Sequence, residues 1–354
     1  MVWRRHCGAG FRGCLASVHT NGRSWSLDQQ LGSSPRRMDQ PMERWSRQVD
    51  QPMGWSSSQR PVDQSVVNDT LDLFACLRKI PSLRILPSTV AETQGDEPFV
   101  AIVQTGEELC RWLRDPPPGL NWLQVEGLLN DSDSWMEAAH SGSDVSLDLI
   151  LADPSSDFAD LYKLVDISAV HDVRVTIHAR PGLLKAVKLA AALRFPIRIL
   201  PGQPKADVLA ELKEVLDFYL HEPAVEAPVE FFHSWIASTR GAEVGSLWMI
   251  LEEDPAAYLQ YDINGQVKLP RAGSLGLAED SPAEFVENYL KSLLEQGAEC
   301  VTCPWQQSCR GYFKWPDRAY SCEGIKDLFS DIQAAADEMA RDLASYVLHA
   351  ANPA

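Results

Sequence analysis

Cys300, Cys303, Cys309 and Cys322 crowd into one C-terminal stretch with the spacing Cys-x2-Cys-x5-Cys-x12-Cys. Cys300-Val301-Thr302-Cys303 puts two thiols on one tight turn, and Cys309 and Cys322 can close a tetrahedron from the loop that follows. Four thiolates satisfy either an iron-sulfur cluster or a structural Zn²⁺. Zinc ribbons usually pair two Cys-x2-Cys knuckles. One knuckle and two single cysteines favour one [4Fe-4S] cluster as the cofactor. Zinc is the alternative, and four buried structural thiols are the plainest reading. Trp305, Tyr312, Phe313 and Trp315 supply an apolar shell that would limit solvent access. Pro304, Gly311, Pro316 and Gly324 shape the loop.

These residues belong to a chain of 354 with a formal net charge of -17 and 45% hydrophobic residues. No apolar run approaches the ~20 residues of a membrane span. Arg4 and Arg5 are followed by no apolar secretory core. The expected location is therefore cytoplasmic, away from membranes. Thiols stay reduced there, so a local cysteine cluster suggests metal before disulfide. The acidic balance serves solubility first and argues against a nucleic-acid partner.

The elements that must hold the cysteines begin well into the chain. Residues 1–95 are rich in Ser, Gln, Arg and Pro and lack a steady apolar period, which predicts poor order or an over-extended translation start. Within them lie a loose repeat around Asp39-Gln40-Pro41 and Asp50-Gln51-Pro52, and a short amphipathic segment at 71–77. A formal G-x-G-x-x-G at Gly8, Gly10 and Gly13 follows no strand and reads as a flexible tail.

From residue 96 apolar strands are expected at 99–103, 122–125, 147–151, 173–177 and 197–200. Helices are expected between and after them, at 106–115, 134–139, 158–164, 182–194 and 205–220. This alternation predicts an α/β fold with a parallel sheet, either doubly wound or a partial (β/α) barrel, over 96–240. Residues 241–354 form the expected Cys-rich domain, after a helix at 229–239. Strands are expected at 247–251 and 257–261, an Asn264-Gly265 hairpin turn next, a helix at 281–295, and a final helix at 325–349.

The hairpin residues Asn264-Gly265-Gln266-Val267, the helix from Ser281 and the run Cys300-x2-Cys303-x5-Cys309-x-Gly311 together resemble the SPASM domain. That domain closes peptide-modifying radical S-adenosylmethionine enzymes. The resemblance covers about residues 255–325, and the βα units upstream are similar to part of the radical S-adenosylmethionine barrel at fold level. It implies a partial (β/α) barrel-like sheet followed by a small SPASM-like metal-binding domain.

The chain departs from the family in two places. The catalytic Cys-x3-Cys-x2-Cys motif is absent throughout, and the loop after the 99–103 strand holds only Cys110. Two further cysteines of one auxiliary cluster are replaced, by Lys268-Leu269-Pro270 and by Phe313. The ligands of the other auxiliary cluster all have counterparts. The resemblance thus implies a pseudo-radical enzyme with one cluster, serving as an accessory or binding protein in the maturation of ribosomally made peptides. Its partners would be a precursor peptide, an intact radical enzyme, or both.

Enzymatic activity stays open. An independent chemistry would use strand-end groups, for which Glu126, Asp153, His178 and Arg180 are the candidates. No H-E-x-x-H, G-x-S-x-G or P-loop motif points to hydrolysis or phosphoryl transfer. A zinc-stabilised interaction protein is the third reading.

Overall fold

The computed structural model describes residues 82–93, 95–239, 242, 244–272 and 281–351. All of them belong to the second of two units, Lys79–Ala354. The G-x-G-x-x-G glycines, the loose repeat and the segment at 71–77 lie outside the described residues.

Seven strands run parallel: β1 (Leu83–Pro87), β2 (Phe99–Val103), β3 (Leu120–Glu126), β4 (Ser146–Leu151), β5 (Val173–His178), β6 (Ile197–Leu200) and β7 (Val229–Glu230). Helices α1 (Gly106–Arg114), α2 (Ser132–Ala138), α3 (Leu183–Ala192) and α4 (Ala206–His221) lie in four of the crossovers. The β4–β5 crossover is a single helical turn, Pro154–Asp157, and a 3-10 stretch, Phe158–Leu164, where a regular helix was expected. β8 (Tyr258–Tyr261) lies parallel to β1 on its free side, and β9 (Val267–Lys268) returns antiparallel. The order is β7-β6-β5-β4-β3-β2-β1-β8-β9. The fold is therefore α/β on a mostly parallel sheet.

Strand order from β1 to β7 follows chain order without reversal. A doubly wound sheet has a switch point where the order reverses, and here the chain reverses once, when β8 returns to the free side of β1. Right-handed crossovers without reversal stack every helix on one face. Burial agrees. Phe99, Ala101, Leu123, Leu149, Ile177 and Ile199 point one way and are almost fully buried. The alternate positions point the other way and include Gln124, Glu126, Asp148, Arg174, Thr176 and Arg198.

Local chemistry fixes several boundaries. Thr105 caps α1 by accepting from the Glu108 amide, and the Glu108 carboxylate returns to the Thr105 amide at 3.2 Å. This reciprocal pair satisfies two donors that a helix start leaves free. At the hairpin, Asp262 Oδ1 accepts from the amides of Asn264 at 2.9 Å and Gln266 at 2.8 Å, and Gly265 takes φ +73. The Asn-Gly turn expected there is present.

Besides the β4–β5 crossover, β7 takes the start of the helix expected at 229–239, and two further elements differ from the sequence reading. β1 lies inside the stretch read as poorly ordered, yet it pairs with both β2 and β8. Residues 247–251, expected as a strand, instead open with a one-turn helix, α5 being Phe232–Thr239 and α6 Leu247–Ile250. Leu247, Trp248 and Leu251 are buried while Met249 is exposed, which is helical rather than alternating spacing. The chain continues through α7 (Phe285–Glu295), α8 (Gln306–Cys309) and α9 (Glu323–Ala351). Among the described residues no helix is long and apolar enough to cross a membrane.

Candidate metal centre

The four cysteines come from two short elements and one helix start. Cys300 is buried in the 3-10 turn Glu299–Thr302, and Cys303 follows that turn half-buried. Cys309 is the last residue of α8. Cys322 is buried immediately before α9, its carbonyl accepting from the Lys326 amide at 2.9 Å. All four line one pocket, walled by Trp305, Phe313, Ile325 and Phe329.

Of the expected aromatic shell, Trp305 and Phe313 reach the pocket. Tyr312 and Trp315 pack behind it, Tyr312 edge-on to Trp248 at 5.1 Å and Trp315 edge-on to Phe285 at 4.9 Å. Two further rings escaped the sequence reading. Phe329 of α9 stacks on Trp235 of α5 at 4.1 Å and meets Trp305 and Phe313 edge-on. The pocket wall is thus continuous with the core between α5 and α9.

The turn after Cys309 depends on left-handed backbone. Arg310 has φ +49 and Gly311 φ +75. The backbone of Phe313 and Tyr312 beyond this reversal favours the Cys309 thiolate, though less than burial disfavours it. A Cβ on Gly311 would stand 2.7 Å from Leu293 Cδ1. Gly311→Ala is expected to cost about 1–3 kcal/mol, mostly from the strained φ. A lower urea midpoint together with reduced metal content would report it; an unchanged midpoint would contradict this account of the turn.

The loop is tied to the sheet. Gln203, just after β6, donates through Nε2 to the carbonyls of Phe313 at 2.9 Å and Asp317 at 2.7 Å. Tyr320 Oη donates to the Pro204 carbonyl at 2.8 Å. Trp248 Nε1 donates to the Arg310 carbonyl at 3.2 Å. The cysteines therefore sit against the C-terminal end of β6, the end where ligands gather in parallel sheets.

The pocket is hostile to bare thiolates. Burial pushes the Cys309 and Cys322 thiols up to about 12, with Cys300 and Cys303 adding to it at Cys309 and Glu299 at Cys322. Cys300 is raised by burial and then by Cys303. A thiolate is the form that ligates metal, so four of them here need a cation to offset their charge. Lys314 and Lys326 stand at the rim, both bound to Glu299, at 2.7 Å and 2.5 Å. Burial would raise Glu299, but hydrogen bonds from the two lysines and from the Cys322 amide hold it at about 2. Four sulfurs lining one pocket with two lysines beside it are a donor set whose chemistry suits a cationic cluster. Among the described residues no three His, Cys, Asp or Glu side chains stand close enough to hold a single metal ion.

Comparison with protein-family models, curated proteins and solved structures finds no match.

The strand-end candidates do not form one cluster of free groups. Asp153 caps the turn after β4, accepting from the Ser155 amide at 3.1 Å and hydroxyl at 2.7 Å. Glu126 ends β3 and accepts from the side-chain amides of Gln104 and Gln124, each at 2.9 Å. His178 ends β5, where burial and then the Arg180 cation hold its pKa below the ordinary histidine value. Arg180 is exposed.

A larger polar assembly lies on the same face and was not foreseen. Asp148 accepts from Arg174 at 2.7 Å, Arg198 at 2.6 Å and the Thr176 hydroxyl at 2.6 Å. Glu252, just past α6 with φ +59, accepts from both Arg174 and Arg198. Two carboxylates and two guanidiniums thus neutralise each other against the sheet, with Asp148 only 2% exposed. Burial would raise both carboxyls, but the two arginines outweigh it and leave them below the ordinary range.

A lowered folded pKa contributes stability above the unfolded value, lost as pH falls through the folded one. The urea midpoint should therefore drop below about pH 4, where free carboxyls protonate. A midpoint that rises on acidification would contradict this assignment.

Proposed function

We propose that this chain is a one-cluster, catalytically silent relative of the peptide-modifying radical S-adenosylmethionine enzymes. It acts as an accessory or binding protein in peptide maturation. The observation that carries this reading is the gathering of Cys300, Cys303, Cys309 and Cys322 around one pocket at the end of the sheet. In this reading the sequential parallel strands are a partial (β/α) barrel, and residues 241–354 are a SPASM-like domain holding one [4Fe-4S] cluster. When bound, such a cluster would cross-link the 3-10 turn, α8 and the start of α9, and could carry an electron.

Two features support silence at the barrel. The stretch between β1 and β2 holds no cysteine, so no catalytic cluster can be ligated there. Arg174 and Arg198, on the polar face of the sheet, are already bound to Asp148 and Glu252. An extended precursor peptide would add to the edge strand β9 by main-chain pairing.

The test is a pull-down under anaerobic conditions. The cluster-loaded chain is offered precursor peptides, and an intact radical enzyme, encoded beside it. Retention of either supports the reading. Failure to retain both, or reductive cleavage of S-adenosylmethionine by this chain alone, would overturn it.

A further inference from the structure

Helix α9 spans 29 residues, and its first half is covered by the body of the fold. Ile325, Phe329, Ile332 and Ala336 are each 1% exposed or less. They pack the helix onto α4 and α5, where Trp235 stacks on Phe329 and Lys213 pairs with Asp331 at 3.0 Å. Their spacing alternates four and three residues, which is the seam of a coiled coil.

The seam does not end where the body does. Met339 and Leu343 continue the same alternation, yet they are 38% and 51% exposed. Every residue from 337 to 345 is exposed. The sequence carries the spacing on to positions 346 and 350, which are Tyr and Ala. At 1.5 Å per residue the stretch from 337 to 351 is about 22 Å of helix. An apolar stripe that is core up to Ala336 and exposed at Met339 and Leu343 has no partner at those two positions among the described residues.

We propose that a second copy of this chain covers it, the two α9 helices pairing through residues 337–351 across a twofold axis. The positions flanking the seam decide which partner is accepted. Here they are Ala340 and Val347 on one side, Asp342 and His349 on the other. Asp337 and Glu338 fall on helical positions away from the seam. A chain of net charge -17 would repel itself through most surfaces. This seam forces no two carboxylates together in either helix direction. Parallel pairing sets Asp342 beside Val347 of the second copy, and antiparallel pairing sets it near His349. A twofold contact uses the same patch twice, so one self-compatible stripe is sufficient. Two heptads make a small interface, so the dimer is concentration-dependent.

Sedimentation velocity on the full chain, from about 1 to about 200 µM, reads this directly. The mass should climb towards twice that of the monomer. The double variant Met339→Glu with Leu343→Glu should remain monomeric throughout. Both positions are exposed, so its circular dichroism and metal content should match the parent. A parent that stays monomeric at every concentration overturns the proposal and assigns the stripe to a different occupant. A double variant that still dimerises overturns it equally.

Discussion

Cys300→Ala is expected to abolish metal binding and to loosen the C-terminal segment while leaving the sheet folded. Cys300 is buried at the base of the pocket, and no other cysteine lies near enough in the described chain to replace it except the three it works with. Metal binding to the native state is folding free energy. A metal held at 1,000 times its dissociation constant contributes about 4 kcal/mol, all of it lost with the ligand. The loss should be local, because the loop reaches the sheet mainly through Gln203, Tyr320 and Trp248. Limited proteolysis should cut the variant between 299 and 325, and urea should unfold it at a lower midpoint. A variant that keeps its full metal content removes Cys300 from the ligand set.

The second large effect is expected far from the cysteines. Arg198→Met leaves Asp148 and Glu252 buried with only Arg174 between them. Breaking a buried pair by deleting one partner costs about 3–5 kcal/mol, because the remaining charge keeps its desolvation penalty. Adding Glu252→Gln removes one of the stranded charges. The double variant should therefore be more stable than the sum of the singles, by about 0.5–3 kcal/mol. Strict additivity in urea unfolding would show that Arg198 and Glu252 do not act as a unit. The same network explains why a mostly apolar sheet tolerates charged residues in the middle of β4, β5 and β6.

How much of this was legible depended on whether the signal was local. The cysteine spacing is local, and one pocket collects all four. Strands β2 to β6 are short apolar runs separated by helical periods, and each appears close to where the sequence placed it. β1 was hidden because Arg84 interrupts it and Pro87 ends it, which reads as a non-strand. Its burial comes from two neighbours, one of them about 170 residues later in the chain, and such pairing leaves little local trace. The run at 247–251 reads either way because five apolar residues fit a strand or a short helical turn equally well.

The charge network was invisible for a related reason. Asp148, Arg174 and Arg198 meet only through strand register, and Glu252 reaches them from an irregular loop. A signal did exist. Each of the first three is a lone charge inside an apolar strand, and a charge there is rarely buried without a partner. Trp235 and Phe329 could have been found in the same way, as large rings on the core-facing stripes of α5 and α9.

The central claim is that Cys300, Cys303, Cys309 and Cys322 hold one [4Fe-4S] cluster, and chemical analysis of the anaerobically purified chain tests it most directly. The account predicts a brown protein with about four irons and four sulfides per chain and absorption near ~400 nm. A colourless protein holding about one zinc, or a brown one whose iron survives removal of Cys309, would contradict it.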